Sequence, residues 1–396
     1  MRAWQGFGWG VILLVCLITH LQWAIPKESP PESSWPMGIP RDLWEILIPE
    51  DNPLSPEKIE LGRKLFFDKR LSQNDTIACA TCHDPAHAYA EPKPVAAGIN
   101  GLKGARNTPT ILNAMFNLEQ FWDGRAPSLE EQAKMPIINP IEMGMPSHRD
   151  LERKLQNLPE YVRHFKKVFG RPVITIDNIV RAIAAFERTQ LSGDAPFDAF
   201  FFQKDVNAIS EAAKRGWQLF RGKARCITCH EFNSSNPFFT DYKYHNIGVA
   251  MTNQRFAALA REVQRLGEIG NLTKQAVDRL ALAEGSSELG RFLVTGSLKD
   301  IGAFKTPPLR DIALTAPYMH NGSQKTLREV IEFYNKGGEP NPNLDGGIQP
   351  LGLTEQEIDD LVAFLQSLTS RRVARMVQTG QPLPWEGILH PPDGTQ

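Results

Sequence analysis

The sequence carries almost no net charge and gives little sign of β-structure. Its 396 residues include 44 Lys and Arg against 45 Asp and Glu, a formal net charge of -1. Nucleic acid requires a basic surface, so we expect no nucleic-acid partner. No convincing run of alternating apolar and polar residues occurs, which argues against a fold built from β-sheets. The length leaves room for more than one domain.

Cysteine is scarce, and the five that occur leave none for a disulfide. Cys16 lies in an apolar leader, and the other four form two identical Cys-x-x-Cys-His motifs: Cys79, Cys82 and His83, then Cys226, Cys229 and His230. Such a pair can form thioethers to the two vinyl groups of one haem, with the adjacent histidine as fifth iron ligand. A redox or zinc site would remain open for a single motif. Two motifs without a spare cysteine favour two covalently bound c-type haems.

The first 25 residues differ from the rest. Arg2 precedes a short apolar run at 10–18, which is typical of a secretory signal peptide. The residues before Ala24 form a poor cleavage site, so an uncleaved N-terminal membrane anchor stays open. In either case we expect the body of the protein in the periplasm. A proline-rich linker follows at 26–45.

Two segments of the sequence resemble each other, one ahead of each haem motif. Both contain Gly-x-x-Leu-Phe within a short amphipathic helix, at 62–66 and at 216–220. A second amphipathic helix is predicted after each motif, at 176–188 and at 354–368. An early helix, a haem-binding turn and a late helix are the parts of a cytochrome c domain. The repetition therefore indicates an internal duplication.

The predicted fold class is all-α (mainly helical), with two cytochrome c-like domains that each bind one haem. The N-terminal domain is predicted at 46–205, the C-terminal domain at 206–372, and a proline-rich tail at 373–396. The stretch 253–282 is charged and favours helix. It is predicted to be an insertion, and the sequence assigns it no role.

Several short motifs resemble those of the di-haem bacterial cytochrome c peroxidases and MauG. They include Arg-Asn-Thr-Pro-Thr, Phe-Trp-Asp-Gly-Arg, Leu-Glu-Glu-Gln and Glu-Met, at 106–110, 121–125, 129–132 and 142–143. Later come Phe-Lys-Thr-Pro-Pro-Leu-Arg and Ala-Pro-Tyr-Met-His-Asn-Gly, at 304–310 and 316–322. The match runs in order over most of residues 50–370. It implies a peroxidatic haem in the N-terminal domain and an electron-transfer haem in the C-terminal domain.

The resemblance implies catalytic roles for three residues. Glu142 would be the acid–base residue over the first haem, because peroxide cleavage needs a group that takes and returns a proton. Gln132 would be its hydrogen-bonding partner, and Trp122 would relay electrons between the haems. Without the resemblance, Glu142 is one surface carboxylate among many and Trp122 is a core aromatic residue.

A calcium site at the domain junction is also implied by the resemblance. Its ligands would be the side chain of Asn107 and the backbone carbonyls of Thr315 and Pro317. Ligation by oxygen alone suits calcium. On the sequence alone, Asn107 would be a turn residue.

The loop before the Arg-Asn-Thr-Pro-Thr run departs from the peroxidase pattern. Typical members carry a histidine there, which blocks the first haem until the second is reduced. This chain has Ile99 instead. His87 is the histidine nearby, but it follows His83 by four residues, so we expect it at the surface or behind the haem ligands. The first haem is therefore predicted to be five-coordinate at rest.

The sixth ligand of the second haem is a further departure. The peroxidases supply a methionine, whereas the aligned helix here offers Tyr334, as in MauG-like proteins. A phenolate stabilises higher oxidation states, and a thioether stabilises ferrous iron. The alternative is that Tyr334 is a helix aromatic and that Met319 or Met251 is the ligand.

These features predict a peroxidase-family enzyme that uses hydrogen peroxide to build a high-valent di-haem state. It would then oxidise a periplasmic partner protein, as MauG and MbnH proteins oxidise a tryptophan. Arg225 stands before Cys226 in place of a tryptophan found in MauG, which puts the MauG exit route in doubt. Trp217 is another candidate exit, although its position in a helix favours core packing.

Two other functions stay open. A plain cytochrome c peroxidase would reduce peroxide with electrons from a small c-type cytochrome, and methionine ligation of the second haem would favour it. A non-catalytic di-haem electron carrier would need both irons six-coordinate. Ile99 argues against the carrier.

Overall fold

Helices dominate the residues described by the computed structural model, 44–269 and 272–385. The predicted leader at 1–25 and nearly all of the predicted linker at 26–45 lie outside these residues. In the first half the helices are α1 (Pro56–Phe66), α2 (Cys79–Cys82), α3 (Leu129–Ile138), α4 (His148–Gln156), α5 (Pro159–Phe169) and α6 (Ile176–Glu187). The all-α prediction is confirmed.

The second half is equally helical. Its helices are α7 (Pro196–Phe202), α8 (Glu211–Arg221), α9 (Asn253–Ile269), α10 (Lys274–Leu282), α11 (Phe292–Thr295), α12 (Leu327–Asn335), α13 (Glu355–Gln366) and α14 (Arg371–Thr379). Within the described ranges the strands are β1 (Tyr244–His245) and β2 (Phe304–Lys305), which pair antiparallel with Tyr244 opposite Lys305. No helix of this described part has both the length and the apolar character needed to cross a bilayer.

The crossing of α1 and α6 organises the first half. Ser55 caps α1, its hydroxyl accepting a hydrogen bond from the Lys58 N–H at 3.3 Å, and Pro56 occupies the first turn, where no N–H is needed. Gly62 lies at the crossing, since a Cβ there would come within 1.8 Å of the Ala182 carbonyl oxygen. The two helices bury one apolar cluster between them, which includes Leu61, Leu65, Phe66, Ile179, Ile183 and Phe186.

The second half repeats this crossing with α8 and α13. A Cβ on Gly216 would come within 2.0 Å of the Asp360 carbonyl oxygen. A capping box opens α13: the Thr354 hydroxyl accepts from the Glu357 N–H at 3.3 Å, and the Glu357 carboxylate accepts from the Thr354 N–H at 2.8 Å. The two equivalent glycine crossings support the internal duplication.

The predicted insertion is helical and shares a small core, here called the satellite core, with residues just before and after it. Helix α9 ends at Ile269 and α10 begins at Lys274. The buried side chains of the satellite core are Met251, Leu259, Leu266, Ala281, Leu289, Phe292, Leu293 and Ile301. Helix α10 also contacts the first half, because Asp278 pairs with Arg125 at 3.0 Å. The insertion thus connects the two halves.

The C-terminal segment returns to the first half. Val373 and Met376 of α14, together with Leu383, are buried in the core of the first half. The Leu383 N–H donates to Gln190 Oε1 at 3.0 Å. The described part of the predicted tail therefore packs against the N-terminal domain.

We expect Gly216→Ala to lower the free energy of unfolding by about 1–3 kcal/mol. The added Cβ would collide with the carbonyl oxygen of Asp360, which belongs to a helix backbone and cannot rotate away. Denaturant titration of the haem-loaded protein measures the loss. Gly346→Ala is the control, because nothing lies within 4 Å of its added Cβ. Equal unfolding midpoints for both variants would contradict the close crossing.

Candidate functional site

A cavity of about 280 Å³ lies in the second half. Protein interiors leave few voids larger than a water molecule, so a space of this size indicates a ligand site. Cys226, Cys229 and His230 of the second motif line it, and so do Tyr334 and Met319. Apolar side chains supply much of the remaining wall, including Phe220, Leu309, Ile331, Leu361 and Leu365. Such a wall suits a flat, largely apolar ligand such as haem.

The two predicted iron ligands are held in the same way. Nδ1 of His83 lies 3.1 Å from the Tyr89 carbonyl oxygen, and Nδ1 of His230 lies 2.9 Å from the Phe239 carbonyl oxygen. A carbonyl can only accept, so each Nδ1 carries the proton and each Nε2 is free to bind a metal. Burial lowers the pKa of both imidazoles, which favours the neutral form that binds iron.

None of the four motif cysteines forms a disulfide within the described residues. Burial raises the pKa of the Cys82 and Cys226 thiols to about 12, so both are protonated at neutral pH. Each pair of thiols stands directly before a histidine with an available Nε2. The donor chemistry at both motifs therefore fits a haem attached through two thioethers.

Glu142 lies close to the first motif. Burial is the main cause of the raised pKa of the Cys79 and Cys82 thiols, and the nearby Glu142 carboxylate adds to it. The Glu142 Oε2 is buried with no hydrogen-bond partner among the described residues. Burial raises the pKa of Glu142 well above the usual carboxyl range; the charge of Asp278 adds to this and that of Arg125 opposes it. An unpartnered carboxyl with a raised pKa is a candidate proton carrier.

Ile99 packs directly against the loop that carries Glu142. Its N–H donates to the Glu142 carbonyl oxygen at 2.8 Å, and a Cβ on Gly144 would come within 2.9 Å of Ile99 Cδ1. An alkyl side chain without a ligand atom therefore lies beside Glu142. His87 is exposed, with Nδ1 3.1 Å from Asp84 Oδ2, as expected for a surface residue.

Gln132 lies in the first turn of α3 and is half-buried. Helix α3 is capped by the hydroxyl of Ser128, which accepts from the Glu131 N–H at 3.2 Å. The helix ends just before the loop that carries Glu142. No hydrogen bond of the described residues joins the Gln132 side chain to Glu142, so its partnership stays a prediction.

Trp122 lies where the two halves meet. It lines the cavity of the second half although it belongs to a motif of the first. Its Nε1 donates to the Asn107 carbonyl oxygen at 2.9 Å, and its own carbonyl oxygen accepts from the Lys305 N–H at 2.7 Å. A carbonyl of the first half thus holds the indole, and a residue of the second half holds the Trp122 main chain.

The three predicted calcium ligands also line this cavity. The amide nitrogen of Asn107 donates to the carbonyl oxygens of Lys93 and Pro94, at 3.1 and 3.2 Å, so its Oδ1 is left for another partner. Asn107, Thr315 and Pro317 thus border the same cavity. Their ligation of calcium stays a prediction.

The candidate ligands of the second haem separate into two places. Tyr334 and Met319 line the cavity, whereas Met251 is fully buried in the satellite core. Burial raises the pKa of Tyr334, so a phenolate at this position requires a cation such as iron beside it. The structure thus leaves Tyr334 and Met319 as the candidates within reach of this cavity.

Trp217 lies inside the core of the second half. It is 7% exposed, and its ring contacts those of Phe197, Phe220 and Phe364. The Arg221 guanidinium lies 5.7 Å from its ring centroid. The core-packing interpretation is confirmed.

A buried group of charges at the junction was not predicted. This junction cluster consists of Arg106, Asp123, Arg125 and Asp278. Asp123 lies 2.6 Å from Arg106 and 3.1 Å from Arg125, and Arg125 Nε donates to Asp278 Oδ1 at 3.0 Å. Burial alone would raise the pKa of Asp123, but the charges of Arg125 and Arg106 outweigh this and lower the pKa to about 2. The motifs at 106–110 and 121–125 pointed to the first three residues, but no sequence signal pointed to Asp278.

No role was predicted from the sequence for two further residues near the cavity. Lys305 is buried, its Nζ donates to the Glu119 carbonyl oxygen at 2.7 Å, and burial lowers its pKa to about 8. His245 is held between Asp241 at 2.9 Å and Asp345 at 2.7 Å, and its pKa is raised by Asp241 first, then by Cys229 and Asp345. Both ring nitrogens of His245 contact carboxylates, and the residue lines the same cavity.

Comparisons with known proteins agree with this geometry. The family model described as di-haem cytochrome c peroxidase matches residues 56–207, and the cytochrome c model matches residues 294–369. The chain is 37% identical over 328 residues to cytochrome-c peroxidase IdrP1 of Pseudomonas sp. (strain SCT), covering 82% of this chain and 84% of that protein.

Two MauG-related proteins are similar as well. The methylamine utilization protein MauG of Methylorubrum extorquens is 38% identical over 327 residues, which is 82% of each chain. A solved MauG-like protein associated with microbial copper homeostasis matches with a TM-score of 0.68 and 31% identity, over 92% of this chain and 99% of that one. The likenesses extend across both haem motifs.

Proposed function

The chain belongs to the di-haem cytochrome c peroxidase family, and on this basis we propose that it uses hydrogen peroxide to oxidise a partner protein in the periplasm. Family membership makes it an oxidoreductase with c-type haems. The partner would present a tryptophan, as the MauG and MbnH substrates do. Because the similar MauG-like structure is associated with copper homeostasis, a copper-binding protein is the partner we favour. The N-terminal leader supports export, with or without a retained membrane anchor.

Equivalent donor sets would hold the two haems. The residues are Cys79, Cys82 and His83 for the first, and Cys226, Cys229, His230 and Tyr334 for the second. When bound, the haems supply iron that takes up peroxide at the first site and stores an oxidising equivalent at the second. The matching Nδ1 anchors of the two histidines support this assignment.

We assign the proton transfers to Glu142. Its carboxylate would take a proton from the near oxygen of hydrogen peroxide and return it to the departing oxygen, which leaves as water. Its unpartnered Oε2 supports this role, because no hydrogen bond from the described residues competes for a proton at this oxygen. Its raised pKa also supports the role, because a group that titrates near neutral pH exchanges protons in both directions. Gln132 would orient the peroxide beside it.

The observation that carries the proposal is Ile99 beside Glu142. A histidine in this loop would occupy the iron and delay the reaction until reduction. The alkyl side chain cannot do so, which supports a first site that is open while the protein is fully oxidised.

Trp122 is the proposed relay between the sites. Its position at the junction, fixed by Asn107 and Lys305, supports a path for electrons between the two motifs. A protein substrate is too large to enter the first site. It would therefore be oxidised by electron transfer across the surface of the second half.

The second candidate function is a cytochrome c peroxidase that receives electrons from a small c-type cytochrome. Met319 favours it, because its thioether lines the same cavity as Tyr334 and would stabilise reduced iron. The sequence identity to IdrP1 (37%) supports the cytochrome c peroxidase function about as strongly as the identity to MauG (38%) supports oxidation of a partner protein.

We also propose that a calcium ion is bound at the junction by Asn107, Thr315 and Pro317. The Asn107 Oδ1, which accepts no hydrogen bond from the described residues, and the position of all three residues on the same cavity support it. Such an ion would hold the first half against the second.

Ile99→His tests the open first site. The imidazole should bind the iron, convert the resting spectrum from high-spin to low-spin, and slow the reaction of the fully oxidised protein with peroxide at least about tenfold. Stopped-flow absorption measures the rate. Ile99→Gln is the matched control, since it disturbs the same packing without supplying an iron ligand. A high-spin spectrum and an unchanged rate in Ile99→His would show that this loop does not face the iron.

A further inference from the structure

One carboxylate of the insertion is hydrogen-bonded to residues of the first half. Asp278 of α10 is 6% exposed and makes two hydrogen bonds to residues outside the insertion. Its Oδ1 accepts from Arg125 Nε at 3.0 Å, and its Oδ2 accepts from Asn139 Nδ2 at 2.6 Å. Both oxygens are therefore committed to the N-terminal domain.

Asn139 organises the loop that carries Glu142. Its side-chain Oδ1 accepts from the Ile141 N–H at 3.0 Å. Its carbonyl oxygen accepts from the N–H groups of Glu142 and Gly144, at 3.1 and 2.9 Å. The bond to Asp278 fixes the orientation of this amide, because it occupies the nitrogen and directs the oxygen into the loop.

Arg125 is the second link between Asp278 and Glu142. Its guanidinium lies 3.5 Å from the Phe121 ring centroid and is shared between Asp123 and Asp278. Since both carboxylates bind it, the guanidinium is held in one position near Glu142.

The charges that face Glu142 come from three parts of the chain. Arg125 lies in the Phe-Trp-Asp-Gly-Arg segment, Asp278 in α10, and Cys79 and Cys82 in the first motif. The two thiols would be thioethers in the haem protein and carry no charge. The charges that remain near Glu142 are Arg125, which lowers its pKa, and Asp278, which raises it. Asp278 lies on the insertion.

We propose that Asp278 is a positioning residue for Glu142, through which the insertion sets the geometry and the protonation of the peroxide site. This inference rests on the proposed role of Glu142. It gives the stretch 253–282 a function: the C-terminal domain completes the reactive side of the N-terminal haem site. If the two halves were separated, the first haem site would then lose its reactivity with peroxide.

Asp278→Asn in the haem-loaded protein tests the proposal. The amide keeps the shape but removes the negative charge, so the pKa of Glu142 should fall. The rate of peroxide reaction requires deprotonated Glu142, so the acid limb of its pH profile should move to lower pH, on the order of one pH unit. Glu284→Gln, an exposed carboxylate just after α10, is the control and should leave the limb in place.

A readout without peroxide separates positioning from general damage. The optical spectrum of the resting oxidised protein, titrated with pH, should show the same displacement in Asp278→Asn, and Glu142→Gln should abolish the transition. In the double variant, Asp278→Asn should add no further shift. Suppose that Glu142→Gln slows the reaction, but Asp278→Asn shifts neither the acid limb of the pH profile nor the spectral transition. The role of Asp278 is then overturned, while the proposed role of Glu142 stands. If Glu142→Gln reacts as fast as the parent protein, the proposed function fails first.

Discussion

Glu142→Gln should slow the reaction of hydrogen peroxide with the oxidised protein by roughly 10²- to 10⁴-fold, the usual contribution of a positioned acid–base group. The amide has almost the same size but cannot accept and return a proton. The haem content and the resting spin state should stay unchanged. Stopped-flow absorption at stoichiometric peroxide measures the rate.

Glu187→Gln is the matched control for this experiment. Glu187 is also buried, its Oε2 also lacks a hydrogen-bond partner within the described part of the chain, and burial raises its pKa to about 8. It lies on α6 and not on the loop beside Ile99. An equal loss of rate in both variants would show that any buried carboxyl near this haem supports the reaction, and Glu142 would lose its assigned role.

Arg310→Met should lower the free energy of unfolding by about 3–5 kcal/mol. Arg310 donates to both oxygens of Asp198, at 2.8 and 2.7 Å, and to the Pro237 carbonyl oxygen at 2.7 Å, and its side chain is 1% exposed. Its removal leaves the Asp198 charge buried without a cation. Denaturant titration of the haem-loaded protein measures the loss.

Arg215→Met provides the comparison, because Arg215 makes the same two-bond pairing with Asp360, both at 2.8 Å. The Arg215 side chain is 55% exposed, and although Asp360 is only 4% exposed, Gln356 Nε2 still donates to it at 3.1 Å, so the loss should be smaller than for Arg310, about 1–2 kcal/mol. Losses of similar size in the two variants would contradict the claim that burial decides the strength of the Arg310 pair.

The parts of the fold with a local signal were predictable from the sequence. The Ser55 cap, the capping box of Thr354 and Glu357, and the Gly-x-x-Leu-Phe elements each depend on residues a few positions apart. The structure adds the reason for the two glycines, which is the close approach of a carbonyl from the partner helix.

The contacts that join distant parts of the chain could not be predicted in this way. Asp278 and Asn139 are separated by 139 residues, and neither stands in a recognisable pattern with the other. The burial of Val373 and Leu383 against the first half was missed for the same reason. The proline-rich composition of this segment predicted a tail. A few apolar side chains are nevertheless enough to pack the segment against the first half.

The central claim is that the fully oxidised protein reacts with peroxide through two coupled haem sites. Electron paramagnetic resonance and near-infrared absorption, recorded before and after one equivalent of peroxide and without any reductant, test it most directly. We expect a high-spin ferric signal from one haem at rest, then loss of both ferric signals and a new near-infrared band. A reaction that begins only after one-electron reduction would contradict the account and make the chain a reductively activated cytochrome c peroxidase.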